Sequence, residues 1–157
     1  MNQMIVAEVL KGIRGTSDCM SMSKKLGYTY NQYFKFEAGY KVLRINDFFN
    51  VCSKLELGQT QMAFKKALDI EMTNFTQEEL INKYCKKWGQ PSEYVLENEL
   101  NISVSKWWRI KNNKSALSFS DFLKIIDVTS GKLFDFLNFF IDESIMKKKF
   151  NTTNEHQ

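Results

Sequence analysis

The sequence has almost no proline and few of the residues that favour tight turns. Among its 157 residues there are one proline and seven glycines. A β-sandwich joins many short strands through turns rich in these two residue types, so the composition excludes that class. The hydrophobic content of 43% and the charged content of 25% are typical of a folded globular chain rather than a disordered one. We therefore expect an all-α fold.

Histidine is nearly absent, and so are the short motifs of common enzymes. The single histidine, His156, lies in a polar C-terminal segment. The sequence contains no glycine-rich phosphate loop, no HExxH and no GxSxG. The adjacent carboxylates Glu78 and Glu79 are explained by the stabilisation of negative charge at the start of a helix. We expect no enzymatic activity and no cofactor.

Cysteine is scarce, and its spacing is not that of a bound metal. Cys19, Cys52 and Cys85 make an odd number, and no two of them form a CxxC pair. This pattern argues against a disulfide framework and against a zinc site. Reduced cysteines are typical of cytosolic proteins, so we expect a cytoplasmic location.

Long hydrophobic runs are also missing. The longest run near the C-terminus, from Leu133 to Ile141, is too short to cross a bilayer and contains Asp135. The N-terminal segment lacks a charged region followed by a long apolar core, which predicts that no signal peptide is present. We expect no membrane partner.

What the sequence does contain is an internal repeat. Shifted by 74 residues, GYTYNQYFKFEAGYKVLRINDFFNVC at 27–52 aligns without a gap with NISVSKWWRIKNNKSALSFSDFLKII at 101–126. Apolar residues fall on apolar residues, and Gln3 falls on Gln77. The alternative is that two amphipathic helical segments align by chance. The ungapped length favours a true repeat of one helical unit.

Start and stop signals divide each repeat into short helices. In the first repeat we expect helices at 4–14, 18–26, 29–39 and 45–55, the third opened by a Thr29-x-x-Gln32 capping box. In the second repeat the expected helix starts are Thr76, Pro91, Ser103 and Ser118. The predicted organisation is a first unit at 1–58, a linking helix within 59–75, a second unit at 76–141 that ends in an apolar helix from about 132, and a polar tail at 142–157.

The first repeat carries a family resemblance. The segment SKKLGYTYNQYFKFEAGYK, at 23–41, resembles the helix-turn-helix of the λ-repressor/Cro-like (Xre) family, which follows Leu-Gly-hydrophobic-Ser/Thr with a recognition helix and then hydrophobic-Glu-x-Gly-Lys/Arg. The resemblance implies two tandem λ-repressor-like helix-turn-helix bundles that bind double-stranded DNA. The matching residues are Leu26, Gly27, Tyr28, Thr29, Phe36, Glu37 and Gly39.

The second repeat matches the same pattern at fewer positions. Asn101 replaces the turn glycine, Lys111 replaces the glutamate, and Asn113 replaces the closing glycine. Asparagine tolerates left-handed backbone geometry, so the two asparagines are mild departures. The matching residues are Leu100, Ile102, Ser103, Ile110 and Lys114.

Two further positions bear on function. The family often pairs an arginine of its first helix with the glutamate of its recognition helix, which Arg14 and Glu37 could supply in the first repeat. In the second repeat these positions are Trp88 and Lys111. Both members of the pair have changed, so neither original charge is left without its partner. The family usually places a glutamine near the start of its second helix to hold a phosphate, whereas this chain has Cys19 and Glu93. Phosphate binding at those two positions is therefore not expected.

The resemblance implies a set of DNA-contacting residues in each repeat. Base edges would face Tyr30, Asn31 and Lys35 in the first repeat and Val104, Ser105 and Arg109 in the second, because the exposed start of the recognition helix carries selectivity. The remaining candidates would cap the helix or contact the backbone: Thr29, Gln32, Lys41 and Arg44 in the first repeat, and Ser103, Lys106 and Lys114 in the second. For each set the alternative is a solvated polar helix face.

Charge ranks the first repeat above the second. Residues 3–57 have eight basic against five acidic side chains, a net charge of +3, whereas residues 77–131 have eight against seven, a net charge of +1. The sequence thus predicts a sequence-specific transcriptional regulator of the repressor type. The alternative is a protein-interaction or antitoxin-like adaptor with the same fold that does not bind DNA through both repeats.

The aromatic residues raise one more question. Trp107 falls at a buried family position, whereas Trp108, like its counterpart Phe34, falls where the helix turns outward. We expect Trp108 to be half-buried against a neighbouring helix, with the aromatic segment at 134–140 as the candidate neighbour. That segment could alternatively form a homodimer interface.

Overall fold

The computed structural model describes residues 2–70 and 76–141, and this part of the chain is mainly helical. The all-α expectation is confirmed at that level. The helices are α1 (Asn2–Arg14), α2 (Cys19–Lys25), α3 (Gln32–Ala38), α4 (Ile45–Lys54), α5 (Gly58–Leu68), α6 (Gln77–Trp88), α7 (Val104–Lys111), α8 (Phe119–Ile125) and α9 (Leu133–Leu137). Two π-helical segments, Val95–Glu99 and Ile126–Ser130, accompany them.

Three predicted helix caps in the second repeat are confirmed. The hydroxyl oxygens of Thr76, Ser103 and Ser118 each accept a hydrogen bond from the backbone N–H three residues later. Each hydroxyl thereby satisfies one of the amide groups that a helix start leaves without a partner. Local sequence chemistry therefore determines where α6, α7 and α8 begin.

Two other predicted starts are wrong. Helix α3 begins at Gln32 rather than at Thr29, because the buried Ser23 hydroxyl accepts from the Tyr33 amide at 3.0 Å and thereby caps the helix from a preceding element. Pro91 lies outside the helix that follows it, where the Ser92 hydroxyl accepts from the Val95 amide at 3.2 Å.

The two apolar helices expected after the repeats are present in part. The predicted linking helix corresponds to α5, which ends at Leu68, and the predicted C-terminal helix corresponds to α9. Residues 71–75, and residues 142–157 with the predicted polar tail, lie outside the described part. The two helices share one burial pattern at a spacing of 73 residues: 60, 63, 64, 67 and 68 are buried in α5, and 133, 136 and 137 in α9, with 140 and 141 buried just beyond it. Each repeat therefore ends in the same kind of apolar helix.

The described residues divide into two compact units. Among the described residues, the first contains those up to Val42 together with 137–141. In it α1 packs on α3, and the Tyr33 hydroxyl donates a hydrogen bond of 2.5 Å to the Leu10 carbonyl oxygen. Gly12 lies so close to the Phe140 carbonyl that an added Cβ would be 1.7 Å from its oxygen. Glycine is required there by close backbone approach rather than by its conformational freedom.

The second unit, Leu43–Phe136, is built around a reciprocal pair of backbone hydrogen bonds. The Ile45 amide donates to the Leu117 carbonyl, and the Phe119 amide donates to the Leu43 carbonyl, both at 2.8 Å. Residues 43 and 45 are the repeat equivalents of 117 and 119. Each repeat thus donates one backbone hydrogen bond to the other and accepts the equivalent bond in return. Both bonds lie just before α4 and α8 begin.

Aromatic side chains form the core of this second unit. The Phe48 and Phe119 rings stack with their centroids 4.1 Å apart, and Phe64 lies against Phe122 at 5.8 Å. The Phe136 ring meets Phe64 edge-on at 5.3 Å. All five rings are almost completely buried, so α9 closes a core to which α4, α5 and α8 also contribute.

Phe136→Asp should strongly destabilise the protein. The substitution removes a fully buried ring and leaves a carboxylate without a partner in an apolar core, which costs about 3–5 kcal/mol or more. Thermal unfolding should show a melting temperature lower by about 10 °C or more. Asn138→Asp adds the same charge at an exposed position and should leave the melting temperature nearly unchanged. Equal melting temperatures for the two variants, with unchanged mass in solution, would show that α9 is dispensable.

Candidate nucleic-acid interface

The candidate interface centres on α3 and α7, and one glutamine in each repeat holds the end of these helices. The Gln3 amide nitrogen donates to the Phe36 carbonyl at 3.1 Å, and the Gln77 amide nitrogen donates to the Ile110 carbonyl at 3.1 Å. Both glutamines and both carbonyls are repeat equivalents. In each repeat, the same glutamine bond therefore fixes the helix with the candidate DNA-contacting residues to the first helix of that repeat.

Gln77 is the more deeply buried of the pair. Its side chain is 1% exposed, and it also donates to the Ser115 carbonyl at 2.8 Å and accepts from the Leu117 amide at 2.8 Å. These three bonds satisfy backbone groups in the last turn of α7 and in the segment before α8. Gln3 is exposed and makes its second bond to the Glu37 carbonyl at 3.1 Å.

Left-handed residues flank both helices at equivalent positions. Gly27 has φ +75° before α3, and Asn101 has φ +55° before α7. After the helices, Gly39 has φ +84° and Asn113 has φ +59°. Asparagine adopts this geometry at lower cost than other residues with a side chain, as the sequence predicted for the second repeat. The turns that frame the two helices are thus conserved in backbone form across the repeat.

The predicted Arg14–Glu37 pair is confirmed. The Arg14 guanidinium donates from Nε and Nη2 to the two Glu37 carboxylate oxygens at 2.9 and 3.0 Å. The hydrogen bond to Glu37 raises the pKa of Arg14. Cys19 donates its thiol to the same carboxylate at 3.4 Å, and its pKa is raised first by burial. Cys19 faces this ion pair from inside the repeat, so it is not arranged to hold a phosphate.

The second repeat replaces this ion pair with other contacts. Lys111 donates to the Gln90 side-chain oxygen at 2.7 Å. The Trp88 ring packs on Tyr84 at 5.0 Å, and the Lys87 ammonium lies 5.2 Å from the Trp88 ring centroid. The joint change of both partners leaves no stranded charge, in line with the sequence expectation.

Most candidates of the first repeat are exposed around α3. The side chains of Thr29, Tyr30, Lys35 and Lys41 are exposed, whereas Asn31 and Gln32 are half-buried. Asn31 accepts a hydrogen bond from the Ser23 hydroxyl at 3.3 Å, so part of its side chain is engaged inside the repeat. The structure therefore brings Lys35 and Tyr30 to the surface more fully than Asn31.

Arg44 is arranged differently from the other candidates. It belongs to the second compact unit, where its guanidinium donates twice to the Asp47 carboxylate at 2.9 and 3.0 Å. That hydrogen bond raises the pKa of Arg44. Asp47 neutralises much of the local charge, which makes Arg44 a weaker anion contact than an unpaired arginine.

The second-repeat candidates lie along α7. Ser105 and Arg109 are exposed four residues apart on one face of this helix, and Lys114 is exposed beyond its end. Lys106 is half-buried, and Ser103 is engaged as the helix cap. Arg109 is the repeat equivalent of Lys35. A cation thus occupies the same exposed helix position in both repeats.

An aromatic side chain lies at the same outward position of α3 and α7. Trp107 is buried, as expected, but Trp108 keeps 54% of its surface exposed and Phe34 keeps 45%. Trp108 is therefore about half-buried, as expected, and the neighbouring helix expected to cover the rest of its surface stays a prediction. The Phe34 and Tyr40 rings meet at an angle of 65° with their centroids 6.0 Å apart. The sequence had already placed a large aromatic residue at this outward position in both repeats.

Acidic residues border the second helix more than the first. Glu93, Glu97 and Glu99 are exposed in and around the π-helical segment that precedes α7. Their negative charge opposes the approach of a phosphate there. Whether Glu93 lacks a phosphate contact stays a prediction.

Other kinds of site have little basis in the described ranges. Within 2–70 and 76–141, no three histidine, cysteine or acidic side chains come together as metal ligands would. Every helix in these ranges is too short or too polar to cross a bilayer. Comparisons with protein families, with curated proteins and with solved structures found no match to this chain.

The two glutamines provide a matched test of how α3 and α7 are held. Gln77→Leu should lower the free energy of unfolding by about 2–4 kcal/mol, because it leaves buried backbone groups unsatisfied. Gln3→Leu should cost about 1 kcal/mol or less, because water reaches the same groups at its exposed position. Urea unfolding of the two variants measures both values when the slopes are unchanged. Equal losses would contradict the buried role of Gln77.

Proposed function

We propose that the chain is a sequence-specific DNA-binding transcriptional regulator of the repressor type, made of two tandem λ-repressor-like helix-turn-helix units and acting in the cytoplasm. In this proposal α3 and α7 are the recognition helices. The observation that carries it is the exposed cation shared by both helices, Lys35 and Arg109, on scaffolds held by the same glutamine hydrogen bond.

The arrangement suits the two separate tasks of DNA recognition. Phosphate attraction is independent of sequence and needs exposed cations, which Lys35, Lys41, Arg109 and Lys114 provide. Base recognition needs side chains that are held in position on a rigid element. The buried stripe and the glutamine bond fix each helix, while its outer face stays open.

The first repeat is proposed as the stronger DNA-binding unit. It has the closer match to the family pattern and the higher net charge. The second repeat carries Glu93, Glu97 and Glu99 near its recognition helix, and like charge repels phosphate. In the proposal α7 contributes to selectivity more than to electrostatic attraction.

One observation favours a second candidate, a protein-interaction or antitoxin-like adaptor. Large apolar side chains are exposed on both α3 and α7, and exposed apolar patches often mark protein interfaces. A homodimer through α9 has less support, because Leu133, Phe136 and Leu137 are already buried within the chain.

The proposal predicts salt-dependent binding that Lys35→Ala and Arg109→Ala both weaken. A duplex selected from a random pool should bind with a log–log salt slope of about 0.9 per phosphate contacted. Each substitution should cost about 1–3 kcal/mol if the side chain contacts a base, or reduce the slope by about 1 if it contacts a phosphate. The loss for Lys35→Ala should be the larger one.

Lys66→Ala is the charge-matched control. Lys66 is exposed on α5, away from both candidate helices in sequence, and its removal changes the net charge by the same amount. Binding by this variant should stay close to that of the unmodified protein. The DNA-binding proposal fails if no duplex is enriched, and the adaptor then becomes the better hypothesis. If Arg109→Ala abolishes binding while Lys35→Ala has no effect, the ranking of the repeats is reversed.

A further inference from the structure

The exposed apolar residues of α3 and α7 recur at the repeat spacing. Phe34 is 45% exposed and its equivalent Trp108 is 54% exposed; Tyr30 is 87% exposed and its equivalent Val104 is 44% exposed. Isolated exposed apolar residues are common on protein surfaces and need no explanation. The position of Phe34 and Trp108 lies on the candidate helix in both copies, and this recurrence indicates a shared ligand contact.

On α7 these residues form a row beside the polar candidates. Val104 and Trp108 are four residues apart, so they lie one above the other on the same face of the helix. Ser105 and Arg109 form the adjacent row by the same spacing. The outer face of α7 therefore presents an apolar row and a polar row side by side.

The middle of α3 also carries an exposed aromatic residue next to an exposed cation. Phe34 precedes Lys35, as Trp108 precedes Arg109, and the Phe34 ring is supported by the edge of Tyr40. Tyr30 differs from Val104 because it lies in the turn before α3, with φ +48°. The shared element of both repeats is therefore an outward aromatic residue followed by a cation.

We propose that Phe34 and Trp108 contact thymine methyl groups in the DNA major groove, so that the bound sites contain thymine at the position next to the base or phosphate contacted by Lys35 or Arg109. This inference rests on the proposed DNA-binding function. The thymine C5-methyl is the apolar group that the major groove offers, and apolar side chains recognise it by contact.

Charge favours this ligand over an apolar protein surface. Each aromatic residue is followed directly by an exposed cation, and Lys41 and Lys114 lie just beyond the two helices. Lysine is depleted at protein–protein interfaces, whereas arginine is enriched there, so Lys35, Lys41 and Lys114 carry this argument. DNA offers both kinds of contact: its thymine methyl groups can pack on the aromatic residues, and its phosphates can pair with the cations.

Replacement of thymine by deoxyuridine tests the proposal directly, because it removes only the methyl group. Each thymine of a duplex selected from a random pool is replaced in turn, and affinity is measured by fluorescence anisotropy. Removal of a contacted methyl should weaken binding about two- to fivefold, the effect of one buried methyl-sized group. A non-selected duplex with the same replacements controls for changes in the DNA itself.

Protein variants assign the contact. Trp108→Ala and Phe34→Ala should weaken binding to the thymine duplex, and each should become insensitive to deoxyuridine at one position, as expected for two groups that contact each other. Met62→Ala is the matched control, because Met62 is an exposed apolar residue on α5. This variant should respond to deoxyuridine as the unmodified protein does. Circular dichroism should show all three variants folded.

The outcomes separate this inference from the proposed function. Tight, selective binding that is unchanged by deoxyuridine at every position would overturn the thymine contact and leave the DNA-binding function intact. If both aromatic variants stay sensitive to deoxyuridine at every position to which the unmodified protein is sensitive, the thymine contact is also overturned. If no duplex is enriched at low salt, both proposals fail, and the aromatic surface is then assigned to a protein partner.

Discussion

The reciprocal hydrogen bonds between Leu43–Ile45 and Leu117–Phe119 are the constraint on which the second compact unit depends. A short extended segment exposes backbone groups that need partners, and here each segment finds them in its own repeat equivalent. Because the bonds lie just before α4 and α8, they bring these two helix starts together. The stacked Phe48 and Phe119 rings follow from that position, and α5 and α9 then cover the aromatic core.

A second constraint acts inside each repeat. It keeps the position of α3 and α7 the same although the two repeats differ in sequence. The glutamine bond and the flanking left-handed residues recur, although glycine is replaced by asparagine at both turns of the second repeat. The Arg14–Glu37 pair does not recur, which shows that it is not needed to hold this geometry. The buried Gln77 amide satisfies several backbone groups, which makes it costly to remove.

The sequence predicted features governed by local chemistry better than features governed by tertiary contacts. Ser103 and Ser118 cap their helices because each needs only its own backbone three residues later. Thr29 fails as a cap because Ser23, from the preceding helix, supplies the hydroxyl instead, and no local pattern reveals that competitor. The buried stripe of α7 and the outward position of Trp108 both followed from the helical spacing. The residues that pack around Trp108 were not predictable, because their position depends on the whole fold.

The same competition at the helix start makes the two candidate recognition surfaces different. Ser23 moves the start of α3 to Gln32, so Tyr30 and Asn31 lie in a turn and Asn31 is engaged from within. Position 97 in the second repeat is an exposed glutamate, Ser103 caps α7 without competition, and Val104 and Ser105 are already helical. Lys35 and Arg109, together with Phe34 and Trp108, keep equivalent positions in spite of this shift. The shared part of the surface is therefore the middle of each helix, and the residues before it are free to differ in what they recognise.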